Sequence, residues 1–176
     1  MLGQRFHLHQ RSSLALALLC TVSCAMAQAP VSQEFVVEVP AKSSVVAPAA
    51  VAIVHDQTEL PQVFPAQFWS LSGNSPLGMV VDFAVNQAFT HRLNGSSKGD
   101  AELRVRVHET SGPASWTATK AIDATSFANS DEHAVVQVMS DAAGSARIDL
   151  GVRFLTSAEL ATGEYVTTVF CTITTR

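Results

Sequence analysis

Period-two alternation of apolar and polar residues, repeated along most of the chain, is what most restricts its fold. Leu103, Val105 and Val107 alternate with Arg104, Arg106 and His108. Ile148, Leu150, Val152 and Phe154 alternate in the same way with Arg147, Asp149, Gly151 and Arg153. Successive side chains of a strand point to opposite faces, so each run needs a packed layer on one side and water on the other. Further extended runs read over residues 67–72, 78–85, 115–122, 133–140 and 164–175. In the last of these, Tyr165, Val169, Cys171 and Ile173 are expected to share the buried face. Residues 49–55 (AAVAIVH) are continuously apolar, as in a strand covered on both faces. A run at 35–39 completes nine candidate strands, against a single short helical turn at 157–161. Regularly spaced strands without helices predict an all-β fold, a single antiparallel β-sandwich of about 8–9 strands.

The N-terminus reads as an export signal. Arg5 and Arg11 give a positive start, residues 13–22 a short apolar helix, and Ala25-Met26-Ala27 a small-x-small cleavage site. The apolar run is about half of the roughly 20 residues that cross a bilayer as a helix, so the mature form has no integral membrane span. Thr21-Val22-Ser23-Cys24 offers lipid anchoring at Cys24 as the alternative. The expected organisation is a cleavable signal peptide at 1–27, a flexible segment at 28–33 and the sandwich at 34–176. Such a protein is exported to the periplasm, cell surface or medium. Losing Arg5 and Arg11 takes the formal charge from −4 to −6. With no basic block left, a nucleic-acid partner is disfavoured. Cys20 and Cys24 leave with the signal, so Cys171 remains as a lone thiol, expected to be buried in its apolar strand.

No residue pattern assigns catalysis, a cofactor or a metal. His55, His91, His108 and His133 share no ligand spacing and read as surface or strand-end residues. Asn129, Asp131 and Glu132 lack the further acids and mid-loop glycine of a calcium loop, which leaves a solvated turn. Residues 73–78 (GNSPLG) miss the nucleophile-elbow spacing and read as a hairpin connection. His55-Asp56 and His108-Glu109 are chain neighbours, so in a strand their side chains point to opposite faces. Cys171 in an apolar strand lacks the electropositive surroundings of a nucleophile. Trp69 and Trp116 are core residues or, less readily, a sugar-stacking platform.

The ending, from Leu160 through Gly163-Glu164-Tyr165 to Thr174, resembles the last strand of secreted bacterial pilin-like sandwich domains, those of fimbrial and spore-coat-U-like proteins. Residues 78–89 (GMVVDFAVNQAF) are similar to an inner strand of such domains. The resemblance implies an immunoglobulin-like or pilin-like sandwich, and protein partners or self-assembly by strand addition. Phe35, Val37 and Val39 are then the candidate partner strand, their alternate side chains filling pockets of a neighbour. The alternative is that they form the first strand of their own sandwich. A lone mature cysteine forms no intradomain disulfide, and the chain ends Thr174-Thr175-Arg176 without an aromatic tail. The expected function is that of an exported, non-enzymatic structural or cell-surface, fimbria-like subunit. A self-sufficient binding module for carbohydrate, metal or a partner protein is the alternative, and a small secreted hydrolase has the least support.

Overall fold

A computed structural model of the protein describes residues 33–155 and 160–176. The signal peptide, its cleavage site, Cys24 and residues 157–159 of the expected helical turn lie outside the described residues. The chain divides into two units, Met1–Glu38 and Val39–Arg176. In the first, residues 33–38 belong to no strand.

The second unit runs β1 (Ser43–Val46), β2 (Gln62–Val63), β3 (Gln67–Gly73), β4 (Met79–Val85), β5 (Phe89–His91) and β6 (Lys98–Ser111). It continues with β7 (Trp116–Lys120), β8 (Ile122–Ala124), β9 (Ala134–Ser140), β10 (Gly144–Leu155), β11 (Tyr165–Val166) and β12 (Val169–Thr175). The larger sheet has the order β1-β3-β10-β6-β5-β11, with β2 beside β10 and β8 beside β6. The smaller has the order β12-β4-β9-β7. All pairings are antiparallel. The all-β antiparallel architecture is therefore the one the alternation predicts.

The alternating residues meet between the sheets. Leu71, Leu103, Ile148 and Leu150 of the larger sheet and Val81, Phe83, Val136 and Val138 of the smaller are buried in one cluster. Trp69 sets its ring edge against Phe83, with centroids 5.2 Å apart. Tyr165, Val169, Cys171 and Ile173 pack half-buried against the same cluster.

Several runs are divided differently from the expectation. Residues 49–55 form no strand, and Val54 is exposed. None of these residues is buried, so the run lacks the two covering layers that a continuously apolar strand requires. The run 164–175 breaks into β11, which pairs with β5 in the larger sheet, and β12, which pairs with β4 in the smaller. The run 115–122 divides likewise, with β7 beside β9 and β8 beside β6. Residues 74–78 are not a hairpin, because β3 and β4 lie in different sheets. Period-two alternation carries no information about which sheet a strand joins.

Phe83 is fully buried at the centre of this core, whereas Phe170 on β12 is exposed. Phe83→Ala is expected to lower stability by about 3–5 kcal/mol. Phe170→Ala is expected to change it by about 0.5 kcal/mol or less. Urea unfolding of the two variants checks the difference.

Candidate functional site

The candidate partner strand keeps its apolar side chains in solvent. Phe35 is 83 % exposed, Val37 85 % and Val39 74 %. Val36, which alternation places on the other face, is equally open. Large apolar side chains in a row are costly to leave hydrated and commonly mark contact surfaces.

The histidines do structural work. His91 is buried and ends β5, the strand-end rather than the surface form of its sequence reading. Its Nδ1 accepts the backbone N–H groups of Leu93 at 3.1 Å and Asn94 at 2.9 Å. That places the ring proton on Nε2, which donates to Thr162 O at 3.1 Å. Tyr165 stands edge-on to the ring at 5.1 Å and donates its hydroxyl to Ala161 O at 3.0 Å. Gly163 passes so close that a Cβ there would lie 2.0 Å from His91 Nε2, and its φ is +151°. Gly163, two residues before Tyr165, is the sequence signal for this corner, but it does not name His91 as the partner.

The other histidines are separate. His55 Nδ1 accepts Gln57 N at 2.9 Å, and its ring stands edge-on to Phe154. Its neighbour Asp56 is held below the usual carboxylate range by hydrogen bonds from the Thr58 hydroxyl and backbone. His133 is exposed. His108 corrects the opposite-face argument. The pairing of β10 with β6 shifts register between Arg147 and Ile148, leaving His108 as an extra residue of β6. A bulge of this kind breaks strict alternation. His108 Nε2 therefore lies 3.6 Å from Glu109 Oε1, and its ring meets Phe68 at 4.9 Å.

The remaining sequence candidates also have defined places. Asn129 donates to Ser126 Oγ at 2.7 Å, Asp131 accepts His133 N at 3.3 Å, and Glu132 pairs with Lys98. Among the described residues, no three His, Cys, Asp or Glu side chains converge as a metal group. Ser75 is buried and donates its hydroxyl to Arg176 O at 2.7 Å. Trp69 and Trp116 are 8 % and 9 % exposed, so neither is a sugar platform. Cys171 is half-buried. Burial, with a smaller contribution from Asp82, pushes its thiol up to about 11.

Only the register of the larger sheet reveals a row of serines on its outer face. Ser44 lies opposite Ser72, Ser72 opposite Ser145, and Ser145 opposite Ser111, across β1, β3, β10 and β6. The next outward row is Val46, Ser70, Arg147 and Glu109. The two rows line a shallow groove of about 380 Å³. The four serines come from four separate runs, so no local motif announces them.

Comparison with protein-family models, with curated proteins and with solved structures gives no match for this chain.

Two outcomes follow from the site geometry. An unfolded thiol ionises near 9 and the folded Cys171 near 11. The stability it contributes is complete below pH 9 and is lost as the pH rises towards 11. Cys171→Ala should flatten that part of a melting-temperature profile, and iodoacetamide labelling of the folded wild type should be slow at pH 7.5. Gly163→Ala should cost about 1–3 kcal/mol through backbone strain, and more through the His91 collision. Thermal unfolding of this variant beside Gly95→Ala, where a Cβ meets nothing, isolates the effect.

Proposed function

We propose that this chain is an exported, non-enzymatic β-sandwich protein acting as a structural or cell-surface, fimbria-like subunit. The observation that carries the reading is the exposed apolar run of Phe35, Val36, Val37 and Val39, outside every strand of a chain otherwise built of strands. An extended segment of this composition joins a neighbour by adding to an exposed sheet edge, with alternate side chains entering pockets. The smaller sheet offers two such edges, β12 and β7. Non-enzymatic character is supported by a thiol held protonated at neutral pH and by a buried histidine whose two nitrogens serve the backbone. Among the described residues, no helix is long and apolar enough to cross a membrane.

A second reading, a self-sufficient binding module, is favoured by the hydroxyl-lined groove on the larger sheet.

Expression of the full chain in a bacterial host tests the first reading. The exported wild-type protein should self-associate in size-exclusion light scattering. Phe35→Asp combined with Val37→Asp should shift it to monomer while leaving the unfolding midpoint unchanged. A monomeric wild type across the accessible concentration range removes the main support for a subunit. Mass spectrometry of the exported N-terminus distinguishes cleavage after Ala27 from lipidation at Cys24.

A further inference from the structure

We infer that the outer face of the larger sheet binds a glycan chain carrying carboxylates, along the row Ser44, Ser72, Ser145 and Ser111, with Arg147 as the carboxylate ligand. This rests on the binding-module reading and assigns it a surface and a ligand class.

Adjacent strands lie about 4.8 Å apart, so four serines in one cross-strand row present hydroxyls over about 14 Å. Among the described residues, none of the side chains of Ser44, Ser70, Ser72, Ser111 and Ser145 has a hydrogen-bond partner. Each hydroxyl offers one donor and two acceptor positions, the same complement that a sugar hydroxyl requires. These serines and Val46, Arg147 and Glu109 of the next row line the same shallow groove.

Arg147 adds charge selectivity. The four arginines on this face are Arg104, Arg106, Arg147 and Arg153. Arg104 and Arg153 reach Glu102, and Arg106 reaches Asp149 at 2.6 Å. Arg147 instead lies over the Phe68 ring, 4.2 Å from its centre, although Glu109 stands opposite it in the ladder. The bulge has turned His108 towards Glu109. A guanidinium fixed over an aromatic ring keeps its N–H fork available for bidentate pairing with a carboxylate. An extended peptide is a poorer fit, since strand addition uses a sheet edge and this groove runs across the strands.

The test titrates the exported protein with a tetrasaccharide of galacturonic acid and with neutral cellotetraose, read by calorimetry and by amide chemical shifts. The acidic oligomer should bind, perturb the amides of Ser72, Ser145 and Arg147, and weaken as salt is raised. Arg147→Gln should weaken it about tenfold. Ser72→Ala combined with Ser145→Ala should weaken it while leaving the unfolding midpoint unchanged. Equal or tighter binding of cellotetraose, or shifts confined to another face, would overturn the carboxylate assignment while leaving a binding module standing. Absence of binding by either oligomer at millimolar concentration overturns the glycan proposal, while the subunit reading is decided separately by self-association.

Discussion

The long antiparallel pairing of β6 with β10 is the constraint on which the rest of the domain depends. It runs from Ser145 opposite Ser111 to Leu155 opposite Asp100, interrupted once by the bulge at His108. Its inner face supplies Ala101, Leu103, Val105, Ile148, Leu150, Val152 and Phe154 to the core. Its two free edges are shared out by length, β10 taking β3 and β2, and β6 taking β5 and β8. Shortening this pair would remove both the wall against which the smaller sheet packs and the edges on which the flanking strands assemble. The outer side is held by cross-strand charge pairs such as Arg106 with Asp149, and exposed pairs of this kind contribute little energy each. The apolar inner face therefore supplies most of the stabilisation.

A second feature concerns connections that cross between the sheets. Leaving a ladder strips backbone groups of partners, and polar side chains can take the place of the lost strand. Short polar side chains do this repeatedly. Asn74 accepts Lys42 N at 2.6 Å and donates to Pro40 O at 3.0 Å. Asp100 accepts Phe127 N at 2.8 Å, Asp123 accepts Val135 N at 2.8 Å, and Asp141 accepts Ser115 N at 2.7 Å. Several of the acids of this chain are thus partly structural.

Strands with one face in the core were legible because burial imposes period two on the sequence. β3, β4, β6, β9 and β10 all follow it. β1 escaped because Ser43, Ser44, Val45 and Val46 are all exposed, so no face is selected. The division of 164–175 escaped because β-branched residues suit either sheet. At the surface the limit is sharper. Ser44, Ser72, Ser145 and Ser111 become neighbours only through register, and His91 meets Thr162 across a separation of 71 residues. The approach of His108 to Glu109 needed a bulge, which one extra residue produces without any distinctive composition. Local pattern reports the environment of a residue, not the identity of its distant partner.

The pairing of β4 with β12 has a consequence for the order in which the domain can be completed. β4 lies inside the smaller sheet, yet one of its two neighbours is the last strand of the sequence. The Ser75 hydroxyl closes onto Arg176 O across 101 residues. During synthesis from the N-terminus, one edge of β4 therefore stays open until β12 has emerged. Contacts of such sequence separation fold slowly. The smaller sheet therefore lacks one of its four strands for as long as β12 is held back.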